Sequence, residues 1–183
     1  EILFVSHSAD PSEAVQKTND YMTAYGDTDC IYATGEDYIT PAADVIKSRG
    51  ITDCKIYGSN ISPSVCQLIM DGQVEACTGG EFVCGSLAVT LLINYLDGNP
   101  IKDADGTAPY FDNLTQFMVT AENAEDFYEF LSDENLATHT ISDEEYQNLL
   151  VRNNPDVDYD YFYDFLTNYE ENVYAKVEAN AAQ

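Results

Sequence analysis

The chain has 183 residues, 45% of them hydrophobic, which suits one domain of ordinary size with room for a sizeable core. Its 33 acidic residues against 7 basic ones give a formal net charge of −26, and such a field repels nucleic acid and anionic membrane surfaces. No run is long and apolar enough to span a bilayer. The five cysteines lack CxxC spacing, which indicates small buried hydrophobes and neither a zinc site nor a disulfide framework.

The first hundred residues alternate short apolar strands with helices. Strands are predicted at residues 2–6, 30–34, 54–58 and 74–78. The helices that follow the first three strands are predicted to begin at Asp10-Pro11, Thr40-Pro41 and Ser62-Pro63. A fourth helix, from about Phe82 to Leu96, is apolar on more than one side. This alternation predicts an α/β fold, with a mainly parallel sheet inside a three-layer α/β/α sandwich.

After Pro100 the composition changes. Residues 101–183 hold 19 of the 33 acidic residues and 8 of the 14 tyrosines. Thr115–Val119 is a candidate final strand, Ser142 and Glu145 form a capping box, and Asp158–Glu171 is predicted as a last helix. We therefore expect residues 1–100 to form an α/β lobe, and residues 101–183 to complete it and add an acidic, aromatic helical extension.

Loops at the strand ends are where function is expected, because ligands of open parallel sheets bind beyond the carboxyl ends of the strands. The landmarks, in order, are Ala33-Thr34-Gly35-Glu36, Ile56-Tyr57-Gly58-Ser59-Asn60, Ile69-Met70-Asp71-Gly72-Gln73-Val74, and a helix that Gly85 leads and Leu96-Asp97-Gly98 ends. Over residues 2 to 100 this ordered set resembles the C-terminal lobe of the type I periplasmic binding proteins, the ribose-binding-like sugar receptors of ABC transporters.

The resemblance implies a solute-binding component of an ABC transporter, present as one lobe, that captures a carbohydrate-like ligand. The alternative is the effector-binding lobe of a LacI-type sugar-responsive transcription regulator. A regulator needs a basic DNA-binding segment, whereas this chain has 7 basic residues in all. The resemblance also implies a transporter permease as partner, and a location in the periplasm or outside the cell, including that of a cell-surface lipoprotein.

The resemblance implies ligand contacts from loops at one edge of the sheet. These residues are His7, Asp10, Gly35, Glu36, Asn60, Gly80 and Glu81. Asn60 suits a polyol because its amide both donates and accepts hydrogen bonds, although an asparagine in this position also stabilises turns. Gly35 has lost the side chain that the family carries there.

Enzyme motifs are absent from the sequence. His7 and His139 are the only histidines, and neither lies in a nucleophile motif. Gly79-Gly80 is not followed by the lysine of a phosphate loop. We therefore expect a binding protein that needs no cofactor and no metal, although 33 acidic residues leave a dispersed carboxylate pair open.

The resemblance further implies that the chain is a lobe-only fragment. The family's lobe begins with a strand and a helix before the strand at Glu1, and a whole N-terminal lobe precedes those. In sheet order 2-1-3-4-5 the missing strand leaves unpaired edges on Ile2–Val5 and on the Cys54 strand. Three outcomes are open for this gap: the sheet is rearranged, another chain or a second copy in a homodimer fills it, or the 101–119 segment does so. We expect weak sugar affinity from the single lobe.

Overall fold

The structure of the chain is a computed structural model that describes residues 1–81, 83–132 and 140–182. It divides into two compact units. The first unit comprises residues 1–79 and 118–129, and the second comprises residues 80–117 and 130–183. Phe82, at the start of the predicted fourth helix, and His139 lie outside the described residues.

The first unit is built from helices and strands in alternation. Its elements are α1 (Pro11–Ala24), β1 (Cys30–Ala33), α2 (Glu36–Ser48), β2 (Lys55–Ser59), α3 (Pro63–Met70) and β3 (Ala76–Gly79). The carboxylate of Asp10 accepts a hydrogen bond from the backbone N–H of Glu13 at 2.9 Å, and the hydroxyl of Ser62 accepts one from Val65 at 3.2 Å. Each cap is followed by a proline in the first turn, so the predicted starts of α1 and α3 are confirmed.

The sheet has the strand order β1-β2-β3-β4, where β4 is Phe117–Thr120. β1 pairs in parallel with β2, and β2 pairs in parallel with β3. α2 packs against α1 and α3 and against the strands β1 and β2. The fold class predicted from the sequence is therefore confirmed as α/β, with a mainly parallel four-stranded sheet flanked by helices.

The strand predicted at residues 2–6 is wrong. Residues 1–8 have no regular secondary structure, and the side chains of Ile2 and Val5 are 82% and 74% exposed. The ring of Phe4 instead packs against that of Tyr21 on α1, with centroids 3.8 Å apart. An apolar run becomes a strand only beside a strand that accepts its hydrogen bonds, and none of the described strands pairs with these residues.

The predicted edge on the Cys54 strand is also wrong. β2, which follows Cys54 directly, is hydrogen-bonded to β1 on one side and to β3 on the other. The two ends of the strand order are β1 and β4, so the edges that lack a neighbour among the described strands lie on those two strands.

The second helix begins earlier than Thr40-Pro41. It starts at Glu36, and Pro41 lies inside it. The carboxylates of Glu36 and Asp37 occupy the first turn, where their negative charges interact favourably with the positive end of the helix dipole and stabilise this start. Burial of Ile39, which is 0% exposed, adds a packing gain that outweighs the hydrogen bond that a proline nitrogen cannot make.

The second unit is mostly helical. Its helices are α4 (Val83–Leu96), α6 (Asp143–Asn148), α7 (Tyr159–Thr167) and α8 (Tyr169–Ala181), while α5 (Ala124–Ser132) contributes residues to both units. Ser142 and Glu145 form the predicted capping box of α6. The single last helix predicted over Asp158–Glu171 is wrong, because α7 ends at Thr167 with Asn168 as its C-cap, and a separate helix, α8, runs from Tyr169 to Ala181.

A buried asparagine connects two elements of the second unit. Asn94 of α4 is 0% exposed, and its amide donates to the carbonyl oxygen of Leu149 and accepts from the backbone N–H of Val151, each at 2.9 Å. Both hydrogen-bonding groups of the amide are thereby satisfied out of water, which fixes the chain after α6 against α4.

The buried cysteines pack as small hydrophobic residues. Cys54, Cys66 and Cys77 are buried, and burial raises the pKa of the Cys66 thiol to about 12. None of the helices in the part of the chain that the structure describes is long and apolar enough to cross a membrane.

Candidate functional site

The carboxyl ends of the paired strands define one edge of the sheet in the first unit. Ala33, the last residue of β1, stands beside Gly58 of β2, and Ser59 at the end of β2 stands beside Thr78 of β3. Loops that leave parallel strands in register begin at the same level. The residues after Ala33 and Ser59 are therefore neighbours beyond this edge, which is where small ligands of open α/β sheets bind.

His7 is brought towards this edge by a hydrogen bond of its neighbour. The phenol of Tyr38, in the first turn of α2, donates to the carbonyl oxygen of Ser8 at 3.1 Å. The carbonyl oxygen of His7 accepts from the ammonium of Lys17 on α1. The imidazole of His7 is exposed and has no hydrogen-bonding partner among the described residues. It is therefore available to a ligand.

Asp10 has a structural role that the sequence also predicts. Its carboxylate caps α1, as described above, and is exposed. The oxygen that accepts from Glu13 is committed to the helix, which leaves the other oxygen for a ligand.

Gly35 and Glu36 form the start of α2. Gly35 is buried at the N-cap position, and its carbonyl oxygen accepts from the backbone N–H groups of Tyr38 and Ile39, both at 2.9 Å. A Cβ at Gly35 would lie 3.5 Å from the Tyr38 ring, which is an ordinary contact, so space alone does not require glycine here. Glu36 is half-buried, and its carboxylate has no hydrogen-bonding partner among the described residues.

Asn60 directly follows β2 and takes a left-handed backbone conformation, with φ of 77°. Asparagine is one of the few residues other than glycine that adopts this conformation readily. Its side chain is exposed and makes no hydrogen bond to any described residue. Neither its donor nor its acceptor is used in stabilising the turn. Asn60 and Gly35 each lie two residues beyond the paired Ala33 and Gly58, so the register brings them together.

Gly80 and Glu81 belong to the second unit. Gly80 has φ of 117°, and a Cβ there would lie 2.8 Å from the Cε1 atom of Tyr169, so only glycine lets the backbone lie against that ring. Both carboxylate oxygens of Glu81 are buried and have no hydrogen-bonding partner among the described residues. Its carboxylate is thus withdrawn from solvent.

The phenol of Tyr169 lies near the Glu81 carboxylate. Burial raises the pKa of Tyr169, and the negative charge of Glu81 raises it further. The hydroxyl groups of Tyr169 and Thr140 are buried, and neither makes a hydrogen bond to a described residue. Sequence reasoning missed this cluster, because residues 59 and 88 positions after Glu81 carry no local signal of their proximity.

Sequence reasoning also missed Tyr38. It lies three residues after Gly35, on the inner face of the first turn of α2, and it is the residue that attaches the segment around His7 to that turn. A helix predicted to start at Glu36 would have put Tyr38 in its first turn. Thr40-Pro41 is the stronger local signal for a helix start, so the sequence predicts the start there instead.

The candidate residues carry more negative than positive charge. Asp10, Glu36 and Glu81 are acidic, and the set contains no lysine or arginine. Across the described residues, no three His, Cys, Asp or Glu side chains are grouped so that they could hold a metal ion. The members of the set in the first unit offer hydrogen bonds from loops that rigid strands position, which is how polar small molecules are bound.

An open, mainly parallel sheet with polar loops beyond its carboxyl ends is the architecture of α/β domains that bind small ligands at that edge. Residues 2–100 match the periplasmic binding protein domain family. The match covers more than half of the chain, and the chain belongs to that family. No curated protein shows significant sequence similarity to it.

Solved structures share this fold at low sequence identity. The periplasmic binding protein component of the arabinose ABC transporter from Shewanella sp. ANA-3, bound to α- and β-L-arabinofuranose, is 19% identical with a TM-score of 0.56, over 70% of this chain and 42% of that one. A periplasmic sugar-binding protein from Pseudomonas fluorescens is 18% identical with a TM-score of 0.60, over 83% and 45%. An arabinose-binding protein from Geobacillus stearothermophilus is 19% identical with a TM-score of 0.53, over 65% and 42%. The chain matches less than half the length of each.

Proposed function

We propose that this chain captures a carbohydrate as one lobe of the solute-binding component of an ABC transporter. The observation that carries the proposal is the side-chain amide of Asn60, which stands at the end of β2 beside the start of α2 with its donor and acceptor both unused by the described residues. Membership of the periplasmic binding protein domain family, and the sugar-binding proteins among the structures of the same fold, support it.

The ligand contacts follow from the side chains at this edge. The amide of Asn60 donates to one sugar hydroxyl and accepts from another, and the carboxylate of Glu36 accepts a further hydroxyl proton. A further contact is proposed from the His7 imidazole, whose neighbour Ser8 is attached to α2 by the hydrogen bond from Tyr38. These groups bind and orient a polyol, so the proposed activity is capture without chemical turnover.

The proposal extends to partners and location. We expect a second lobe to complete the cleft, and a transporter permease to recognise the closed, loaded receptor. The location proposed is the periplasm or the cell exterior, including that of a cell-surface lipoprotein. Radiolabelled palmitate would be incorporated into the full-length gene product if it is lipid-anchored, and an unlabelled product in the soluble periplasmic or culture fraction would contradict the anchor.

The edge strand β1 is the proposed place for another chain to pair. It stands at the end of the strand order, and the apolar side chains of Ile2 and Val5 are exposed. Either another part of the receptor or a second copy of this chain can supply the strand. Sedimentation of the 183-residue chain at several concentrations distinguishes the two. A dimer that dissociates on dilution would support pairing with a second copy. A monomer at every concentration would support pairing with another part of the receptor.

A sugar titration followed by nuclear magnetic resonance tests the proposed function. Amide resonances of the ¹⁵N-labelled chain are recorded with pentoses and hexoses up to millimolar concentrations, because one lobe offers half of a cleft and binds weakly. We expect shifts confined to residues near Gly35, Glu36 and Asn60. Their absence with every sugar, both for the chain and for a two-lobed parent, would contradict the proposal.

A further inference from the structure

A cavity lies at the edge of the sheet in the first unit that is opposite the carboxyl ends of the strands. It has a volume of about 360 Å³ and is formed by the end of α2, the turn before β2, the first residues of β2 and the turn that follows α3. We propose that this cavity binds a small hydroxylated carboxylate, a ligand class distinct from the neutral sugar proposed for the other edge. Small-molecule sites have volumes of roughly 300–1,000 Å³, so a molecule of monosaccharide size fits here.

The charge of the lining is the first reason to expect an anion. The lining contains Lys47, Lys55 and Glu75, so its formal charge is +1 within a chain whose formal charge is −26. Lys55 is paired with Glu75, with 2.8 Å between Nζ and Oε2. Lys47 is exposed and makes no salt bridge among the described residues. Its ammonium is therefore the cation left for a carboxylate ligand.

A buried acceptor is the second reason, and it adds the hydroxyl group. The Oε1 atom of Gln73 is buried and has no hydrogen-bonding partner among the described residues. The Nε2 atom of the same amide donates to Oδ2 of Asp71 at 3.4 Å. Because a carboxylate only accepts, this contact fixes which end of the amide is the nitrogen. A buried acceptor without a donor is costly, and because Gln73 lines the cavity, rotation of its amide towards a bound molecule lets a ligand hydroxyl supply the donor.

Apolar side chains complete the wall of the cavity. They are Ala43, Ile46, Ile51, Cys54 and Ile56. Their surface suits the carbon-bound hydrogens of a sugar ring or of a short hydroxy acid, which lose contact with water on binding. An inorganic anion has no such groups and would leave this wall exposed.

Backbone hydrogen bonds hold the cavity in shape without a ligand. The N–H of Ile51 donates to the carbonyl oxygen of Ile46 at 3.1 Å, and the N–H of Glu75 donates to Ile56 at 2.8 Å. Glu75 thereby continues the pairing of β2 towards β3, and Ile51 closes the end of α2. A preformed site avoids the entropic cost of ordering its walls on binding.

The cavity is separate from the proposed sugar site. Lys55 begins β2, and Asn60 directly follows the end of that strand. Five residues of extended chain separate them, which is roughly 16 Å at the rise of a β-strand. Binding at one edge can therefore be distinguished from binding at the other by which amide resonances move.

Glucuronate and glucose provide a matched pair of probes, because glucuronate carries a carboxylate where glucose carries a hydroxymethyl group. We expect glucuronate to shift the amide resonances of Lys47, Ile51 and Gln73 in the ¹⁵N-labelled 183-residue chain, and glucose to leave them unchanged. Lys47→Gln should weaken glucuronate binding roughly two- to fivefold, as for other exposed ion pairs. Lys102→Gln, which removes an exposed lysine of the second unit, should leave it unchanged.

A further variant tests the buried acceptor. Gln73→Met keeps the length of the side chain and removes Oε1, and we expect weaker glucuronate binding with the dispersion of the spectrum retained. Equal shifts with glucose, equal losses in both lysine variants, or shifts confined to Gly35, Glu36 and Asn60 would each overturn the proposal. The last of these results would instead support the sugar site. Absence of any shift with millimolar glucuronate would overturn it as well.

Discussion

The phenol of Tyr38 donates a hydrogen bond to the backbone carbonyl oxygen of Ser8 across 3.1 Å. This contact joins the irregular residues before α1 to the first turn of α2, thirty positions further along the chain. It attaches the neighbour of His7 to the side chain of Tyr38, which lies three residues after Gly35 at the start of α2. A half-buried tyrosine therefore positions a candidate ligand residue on an adjacent segment.

Removing that hydroxyl should loosen the segment around Ser8. We expect Tyr38→Phe to reduce the free energy of unfolding by roughly 0.5–1.5 kcal/mol, the usual net contribution of one hydrogen bond. Hydrogen exchange at residues 7–10 should become faster, because the segment loses its attachment to α2. Tyr32→Phe is the control, since the Tyr32 side chain is 62% exposed on β1 and its hydroxyl has no described partner. Equal effects of both variants on exchange at residues 7–10 would contradict the assigned role.

Close packing between β2 and α2 gives the second prediction. A Cβ at Gly58 would clash with the Cδ1 atom of Ile39 and lie 2.8 Å from its Cγ1 and 3.0 Å from the carbonyl oxygen of Ala33. Gly58→Ala should therefore destabilise the chain by roughly 1–3 kcal/mol, as overpacking of a core does. Urea denaturation measures the change.

A matched glycine offers the control for that experiment. Gly85 lies within α4, and a Cβ there would meet nothing within 4 Å. Gly85→Ala should stabilise the chain by roughly 0.5–1 kcal/mol, because alanine loses less backbone entropy in a helix. Adding Ile39→Val to Gly58→Ala removes the clashing Cδ1 atom and should restore part of the loss. If the two substitutions together reduce the free energy of unfolding by the sum of their separate effects, the contact with Ile39 is not the cause of the loss in Gly58→Ala.

Local signals in the sequence predicted much of this fold. Asp10, Ser62 and Ser142 were identified as helix caps, and all three accept the hydrogen bonds that this role requires. Capping depends on three or four consecutive residues, so the sequence contains all of the relevant information. The predicted ends of β2 and β3 lie within two residues of the observed ends for a similar reason, since a glycine lies at or next to the last residue of each strand.

Features that depend on distant residues were missed. Ile2–Val5 has the composition of a strand, but a strand also requires a partner, and β1 pairs with β2 instead. The candidate residues at the strand ends came from the family resemblance and the rule for parallel sheets. Their actual surroundings, such as Tyr38 beside Ser8 and Tyr169 against Gly80, depend on tertiary packing that no local pattern encodes.

Acid titration gives the third prediction, from Glu145 in the second unit. Desolvation would raise the pKa of this carboxyl, but hydrogen bonds from Lys176 and Ser142 outweigh it and lower the pKa below its ordinary value. The Lys176 ammonium lies 2.5 Å from Oε2. A carboxyl with a lowered pKa stabilises the fold above its unfolded-state pKa of about 4.3, and this contribution is lost as the pH falls through the lower folded-state value.

Glu145→Gln isolates this contribution from that of the other carboxyls. The free energy of unfolding of the original chain should exceed that of the variant at pH 6, and the difference should shrink as the pH falls below about 4. Urea denaturation at a series of pH values measures it. Glu144→Gln is the control, because Glu144 is exposed and shares the same first turn of α6. A difference that does not change with pH would mean that the ion pair does not stabilise the fold.

The last prediction concerns Asn60, where two substitutions distinguish the amide from the backbone. Asn60→Gly deletes the amide and suits the left-handed φ of 77°, whereas Asn60→Ala deletes the amide and also strains the turn. We expect both to weaken sugar binding several-fold, since a hydrogen bond between uncharged groups is worth roughly 0.5–1.5 kcal/mol. Only Asn60→Ala should lose stability, by about 1 kcal/mol. Titration calorimetry on a two-lobed parent, with urea denaturation of each variant, measures both effects. If Asn60→Gly binds sugar as tightly as the original protein, the amide does not contact the ligand and the site lies elsewhere on the lobe.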